Sequence, residues 1–269
     1  MSIYALTSIS GSPGVTTTAI AWATLSKRPT LIIEADPTGG SPIVAGVWAG
    51  QQPHTTSILE LANRERARFV EYLHERSLVL PGTTDRRVLP GVPAPEHARP
   101  LSAVWRPLAA ALRTISSEGG IDVVIDAGRA GAQHAPWTLM EGADALLVLT
   151  DTTLPALNST AIGVASIRER LEQSGIPDRL GVVPITGRDR GPDIRPYGSR
   201  EISGVIAPTR VIGDVPRDAA RAGVYSSALS PGRGHSSSGY CRSIVHLTKA
   251  AEEHADRIRE VLTAQEGIA

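Results

Sequence analysis

Residues 3–19 read IYALTSISGSPGVTTTA, and this stretch is the most informative part of the chain for its fold. The short β-prone run over residues 3–9 favours a β-strand, and the glycines and proline that follow it favour a tight loop. The small residues from Thr17 to Leu25 then favour a helix. Ligands of an open parallel sheet bind beyond the carboxyl ends of its strands, so this first loop is the candidate functional site.

The alternation of strand and helix continues along the rest of the chain. Runs typical of buried strands occupy residues 29–35, 121–125, 145–150 and 180–185, and residues 209–212 look like a last strand. Helical spacing occupies residues 57–74, 101–115, 157–173 and 243–263. Residues 78–80 and 87–89 flank a turn and predict a hairpin-like pair at a sheet edge. Together these patterns predict a single α/β domain over residues 1–269, with a mainly parallel sheet covered by helices on both faces.

Composition excludes several classes of function. The 27 basic and 27 acidic residues cancel, which disfavours unselective binding to nucleic acid or to anionic membranes. A single cysteine, Cys241, excludes an internal disulfide framework and a multi-cysteine metal site, as is typical of proteins in a reducing compartment. No basic leader and no long apolar run is present, so we expect a cytoplasmic protein.

The first loop resembles the deviant Walker A loop of the MinD/ParA family of P-loop ATPases, whose pattern is K-G-G-V-G-K-T-T. Four later segments resemble that family in the right order: LIIEADPTGG at 31–40, IDVVID at 121–126, ADALLVLT at 143–150 and IGDVPRD at 212–218. The resemblance implies a three-layer α/β/α P-loop NTPase fold. It also implies that Asp36 places an attacking water, that Thr18 and Asp126 hold Mg²⁺, and that Pro216 and Asp218 line a base pocket. The implied nucleotide-binding loop comprises Gly11, Ser12, Pro13, Gly14, Val15, Thr16, Thr17 and Thr18.

The departures from the family pattern concern phosphate binding. Aligned without gaps, Ser12 and Thr17 replace the two lysines, while Pro13 and Thr16 replace two glycines. A P-loop lysine reaches the β- and γ-phosphates, and proline removes one N–H donor from the loop. Moving the threonine run by two residues changes which hydroxyl faces Mg²⁺, but it recovers no lysine. We therefore expect no resident cofactor, or ATP–Mg²⁺ bound only with low affinity.

Only two of the 27 basic residues are lysines, Lys27 and Lys249, and neither lies in the first loop, where the family pattern has two lysines. Arg129, Arg188 or Arg190 is a candidate substitute, although arginine does not replace a lysine point charge without rearranging the loop. Glu34 stands where the family carries its first switch I aspartate. Asp36 and Asp126 also have a plainer interpretation, as solvated or helix-capping carboxylates at strand ends.

These features predict a pseudo-ATPase, a catalytically inactive scaffold or localisation factor that acts through protein partners. By resemblance to degenerate TadZ/CpaE-like members, the partner belongs to a pilus, secretion or cell-division complex, and the chain can form a homodimer. The last helix lacks a basic amphipathic face, so we expect no direct membrane anchor. Two alternatives stay open: a slow ATPase that binds ATP–Mg²⁺ and dimerises, and a less favoured DNA-associated partition factor that uses Arg188, Arg190, Arg195 and Arg200 without ATP.

Overall fold

The computed structural model describes residues 1–11, 13–187 and 197–266. Its strands are β1 (Ile3–Ser8), β2 (Thr30–Glu34), β3 (Leu78–Val79), β4 (Arg86–Leu89), β5 (Asp122–Arg129), β6 (Ala145–Asp151), β7 (Leu180–Thr186), β8 (Arg210–Val211) and β9 (Val215–Pro216). Its α-helices are α1 (Val15–Leu25), α2 (Pro42–Val47), α3 (Phe69–Arg76), α4 (Trp105–Gly119), α5 (Trp137–Gly142), α6 (Leu154–Glu172), α7 (Ser199–Ile206), α8 (Ala219–Ser226) and α9 (Gly239–Glu266).

The strands form one sheet in the order β3-β4-β2-β5-β1-β6-β7-β8, with β9 also paired to β7. Every pairing is parallel except that of β3 with β4. Strand β1 lies between β5 and β6, with Tyr4 opposite both Val124 and Ala145. The chain leaves β1 toward β2 on one side and later adds β6 on the other. This reversal of strand order places a topological switch point at the carboxyl end of β1.

Helices cover both faces of the sheet because successive side chains of each strand point to opposite faces. Ala5, Ile33 and Ile125 belong to a core shared with α3, α4, α5, α6 and α7. Tyr4 and Ile32 belong to a second core shared with α1, α2, α8 and α9. The predicted three-layer α/β/α fold with a mainly parallel sheet is confirmed.

The edge hairpin is also confirmed, since β3 is antiparallel to β4 and lies at the end of the sheet. The helix predicted over residues 57–74 was wrong in its extent. Residues Ile58–Asn63 and Arg66–Arg68 form short 3₁₀ helices, and the α-helix begins only at Phe69. Between Leu61 and Phe69 the only apolar residues are two alanines, so this stretch has no large side chain with which to hold an α-helix on the core.

Short elements were missed most often. The sequence patterns did not predict α2, α5, α7, α8 or β9, each eight residues or shorter. Their positions depend on packing more than on periodicity, because a short helix is only marginally stable by itself. Among the described residues, no helix combines the length and the apolar character needed to cross a membrane.

Candidate functional site

The loop between β1 and α1 ends on a glycine, and the backbone conformation at this position strongly favours glycine over other residues. Gly14 has a φ of +89°, in the left-handed region, and α1 begins at the next residue, Val15. No side chain caps the first turn of α1. The amides at the start of this 11-residue helix are therefore available to an anion, as in a phosphate-binding loop.

The start of α1 sets the register of the loop. In a P-loop the lysine directly follows the last glycine and a serine or threonine follows the lysine. Here the corresponding residues are Gly14, Val15 and Thr16, so the buried Val15 occupies the lysine position. The alternative register, with Thr17 at that position, also contains no lysine. Neither lysine of the chain is near this loop in sequence: Lys27 follows α1, and Lys249 lies on α9 beside Glu253.

Asp126, on β5, is the buried carboxylate that the family resemblance assigns to Mg²⁺. It is 0% exposed, and its Oδ1 accepts the Gly128 N–H at 3.1 Å. Its Oδ2 is buried and has no hydrogen-bond partner that meets standard geometry among the described residues. Burial raises the pKa of Asp126 to about 7; the Thr16 hydroxyl partly opposes that rise, and the charges of Glu34 and Asp36 add to it.

The hydroxyl that interacts with Asp126 therefore belongs to Thr16. Thr18, which the ungapped alignment assigns to Mg²⁺, is 2% exposed and comes two residues after Thr16 in α1. A hydroxyl beside a carboxylate is the donor set that Mg²⁺ uses together with water and phosphate oxygens. Thr16 and Asp126 thus supply two of the donor types that a magnesium ion uses, whereas the loop offers no ammonium group for the phosphates that would accompany it.

Glu34, at the end of β2, lies opposite Asp126 in the sheet and has a structural role. Its carboxylate accepts hydrogen bonds from the Ser41 hydroxyl, from the Gly91 N–H at 2.7 Å and from the Ile43 N–H at 3.1 Å. Burial raises its pKa, and these three hydrogen bonds oppose the rise. Glu34 therefore joins the start of α2 and the segment after β4 to the end of β2.

Asp36 packs against the segment that follows Asp126. A Cβ built on Gly128 would lie 2.3 Å from the Asp36 Cγ, so the carboxylate lies directly over this glycine. Asp36 Oδ1 accepts the Thr38 N–H at 2.9 Å and the Thr38 hydroxyl at 2.7 Å. The carboxylates of Asp36, Asp126 and Glu34 thus converge beside the loop, as the family resemblance implies for the first two.

A pocket of about 170 Å³ connects the loop to the segment after β9. The predicted residues that line it are Pro13, Gly14, Thr17, Thr18, Pro216 and Asp218. The structure thus brings together the predicted loop and the predicted base pocket, which are about 200 residues apart in sequence. Asp218 also caps α8, accepting the Arg221 N–H at 3.0 Å.

Arg217 lines the same pocket and was not singled out as a candidate from sequence. Its Nη2 donates to Asp151 Oδ2 at 2.6 Å, and its backbone N–H bonds to Thr186. Arg217 lies in sequence between Pro216 and Asp218, the two residues predicted for the base pocket, and this position could have identified it as a further pocket residue. The ion pair with Asp151 offsets the charge that Arg217 brings to the pocket.

Arg129 is the candidate substitute arginine that the structure describes beside the loop. It is exposed, and its Nε donates to the Gly11 carbonyl oxygen at 3.0 Å. Arg129 therefore reaches the loop through a backbone acceptor. Arg200 lies in α7. The other predicted residues, Ser12, Arg188, Arg190 and Arg195, lie outside the described residues.

Structural comparison finds proteins with the same fold and low sequence identity. The cell-division ATPase MinD of Pyrococcus furiosus matches with a TM-score of 0.68 and 21% identity, over 94% of this chain and 98% of that one. A ParA family ATPase from Chlorobium tepidum matches with a TM-score of 0.67 and 14% identity, over 91% of this chain and 97% of that one. A chain of the Aquifex aeolicus MinC:MinD cell-division complex matches with a TM-score of 0.66 and 14% identity, over 97% and 96%.

No protein-family model matches the sequence, and no curated protein matches it. The similarity therefore extends over nearly the whole chain in three dimensions while sequence identity stays at or below 21% in these three structures. Together with the strand order and the loop at the carboxyl end of β1, it leads to one conclusion: this chain has the fold of the MinD and ParA ATPases.

Proposed function

We propose that this protein is a catalytically inactive relative of the MinD and ParA ATPases that works as a scaffold or localisation factor through protein partners. One observation carries the proposal: Val15, only 7% exposed, is the first residue of α1, where a P-loop places its lysine. An apolar side chain at this point cannot neutralise a phosphate.

The electrostatics of the loop support the same proposal. Phosphoryl transfer depends chiefly on positioning and on neutralising charge at the transferring group. A charge-assisted hydrogen bond from lysine to phosphate contributes about 1.5–3 kcal/mol to binding, and this loop can make none. The carboxylates of Asp36 and Asp126 stay beside the loop, and the charge of Asp36 already disfavours the charged form of Asp126. The phosphates of ATP would add further negative charge to this cluster.

A role through protein partners rests on the fold and on one of its relatives. The Aquifex MinD structure is a complex with MinC, so this fold can present a surface to another protein. By the TadZ/CpaE-like resemblance, the partner of this chain is a component of a pilus, secretion or cell-division complex, and a homodimer is the expected assembly. Localisation by binding requires no ATP hydrolysis, which suits the altered loop.

The decisive experiment is isothermal titration calorimetry with ATP–Mg²⁺ on the wild-type protein and on two lysine variants. We expect no measurable binding by the wild type at millimolar nucleotide and no phosphate release above blank. Val15→Lys places an ammonium group at the start of α1 and should gain ATP affinity. Thr17→Lys is the matched control, since its lysine comes two residues later in the helix and should gain less. Thermal denaturation of each variant checks that it is folded.

The alternative of a slow ATPase is favoured by the retained Thr16–Asp126 pair and by the proximity of Arg129 to Gly11. In that case the wild type would bind ATP–Mg²⁺ with a dissociation constant below about 100 μM, which corresponds to a binding free energy more favourable than about −5.5 kcal/mol. Asp126→Ala would abolish the binding. This pair of results would overturn the proposal of an inactive scaffold.

A further inference from the structure

A second cavity, of about 470 Å³, lies at the opposite end of the strands from the loop between β1 and α1. It is located at the amino-terminal ends of β7 and β8, where Leu180 and Arg210 begin their strands. The segment after α6 and the carboxyl-terminal half of α9 close its other sides. Since β1, β6, β7 and β8 are all parallel, no residue of the first loop can reach this cavity. It is a separate site.

Three arginines give the cavity a positive rim. Arg168 is paired with Glu172 and Asp178, at 3.3 and 3.1 Å. Arg210 and Arg257 are exposed, and neither has an acidic partner among the residues that the structure describes. Both are close enough to His254 for their charges to lower its pKa. The rim therefore holds two positive charges that are available to an anion.

Buried polar atoms line the cavity beneath this rim. Thr209 is 5% exposed and His254 is 4% exposed. No described residue lies in standard hydrogen-bond geometry with the Thr209 hydroxyl or with either ring nitrogen of His254. The backbone of Arg179 is nevertheless close enough to His254 to oppose the fall in the pKa of this histidine. Unpartnered buried polar groups are rare in folded proteins, and each one calls for an explanation.

Apart from Gly175 and from Asp178, which pairs with Arg168, the rest of the lining is apolar. Ile176, Leu180 and Ile258 contribute hydrocarbon surface beside the polar groups. Ligand pockets of proteins are typically about 300–1,000 Å³ in volume, mostly apolar, with a few polar groups that orient the ligand. This cavity has that size, and its lining is more polar than that of a typical ligand pocket, with polar and apolar groups in similar proportion.

We infer that the cavity binds a small amphipathic anion. Its acidic head group lies between Arg210 and Arg257 and accepts a hydrogen bond from the Thr209 hydroxyl, and its apolar body packs on Leu180 and Ile258. The head group is a carboxylate, sulfonate or phosphate, because the planar guanidinium groups of arginine bind all three. This site is independent of the P-loop and of the function proposed for it.

The test uses 8-anilinonaphthalene-1-sulfonate, a fluorescent amphipathic anion, with octanoate as competitor. We expect saturable binding of one probe per folded chain and displacement by octanoate. Octanol, which has the same chain length without the charge, should compete about tenfold less well. The double variant Arg210→Gln/Arg257→Gln should bind the probe at least about tenfold more weakly.

Two further variants make the result specific. Ile258→Trp places a bulky side chain in the cavity and should also weaken binding, while Arg106→Gln, which removes an exposed arginine on α4, should leave it unchanged. Melting temperatures close to that of the wild type identify the folded variants. Equal probe affinity in the wild type and the double variant, equal competition by octanol and octanoate, or no saturable binding would each overturn the inference.

Discussion

Replacing Asp126 with asparagine should stabilise the protein at alkaline pH. Asp126 is fully buried between the first loop and the end of β2, and its pKa is raised from the ordinary 3.8 to about 7. The folded protein therefore keeps a proton on this side chain over a pH range in which the unfolded chain has released it. Asparagine is neutral at every pH and can still accept the Gly128 N–H that Asp126 accepts.

The size and sign of the effect follow from the two pKa values. Between pH 3.8 and about 7 the folded state binds more protons than the unfolded state, so stability falls as pH rises through this window. The full loss is about 4 kcal/mol, and about 2.5 kcal/mol of it falls between pH 5 and pH 8. Asp126→Asn removes this loss, because its side chain does not titrate.

Urea denaturation at pH 5 and at pH 8, in the presence of a chelator, measures the difference between the two proteins. The free energy of unfolding of Asp126→Asn, relative to wild type, should rise by about 2.5 kcal/mol between the two pH values. Titrating groups that do not interact with Asp126 are common to both chains and cancel in this difference, whereas Glu34 and Asp36, whose charges act on Asp126, contribute a smaller part of it. Asp256→Asn, an exposed carboxylate on α9, is the control and should change by less than about 0.5 kcal/mol. A relative stability of Asp126→Asn that is independent of pH would refute the reasoning.

Three further substitutions test the packing around the site and the core by urea denaturation. Ser41→Ala removes the hydroxyl that bonds Glu34 and caps α2, and it should destabilise the protein by about 1–3 kcal/mol; an unchanged stability would show that Glu34 is held in another way. Gly128→Ala places a Cβ against Asp36 at a φ of +61° and should cost at least about 1–3 kcal/mol, whereas a neutral effect would contradict the close approach. Trp22→Ala empties a buried space in the core shared by α1 and should cost about 3–5 kcal/mol, and a loss below about 1 kcal/mol would count against that packing.

Much of the fold was predictable because long apolar runs carry a strong local signal. The sequence alone predicted the central strands, the edge pair β3 and β4, and a sheet covered on both faces, and all of these are present. Periodicity failed over residues 57–74, where Leu61 and Phe69 suggested one helix. The charged residues between them prevent a continuous apolar face, and tertiary packing instead selects two 3₁₀ helices followed by α3.

The sequence indicated the residue types that lie around the first loop, and the structure added the register of that loop. Sequence reasoning identified the loop, Asp36 and Asp126 as candidates, but an alignment cannot tell which threonine faces the carboxylate. The helix starts at Val15, and this start brings the Thr16 hydroxyl, not that of Thr18, to Asp126. Rotation by about 100° per residue separates neighbouring helical side chains, so the point at which the helix begins decides which hydroxyl faces inward.

The sequence by itself determined the class of the fold and the absence of lysine from the first loop, in either register. Both are properties of the order of residues along the chain, and no packing can supply an amino group that the loop lacks. Only the tertiary structure decided that Glu34 is an internal anchor, that Arg217 faces the loop pocket, and that β7, β8 and α9 enclose a separate basic cavity. Each of these depends on residues far apart in sequence, which meet only because strand order and helix packing bring them together, the first two at the carboxyl ends of the strands and the cavity at the amino-terminal ends.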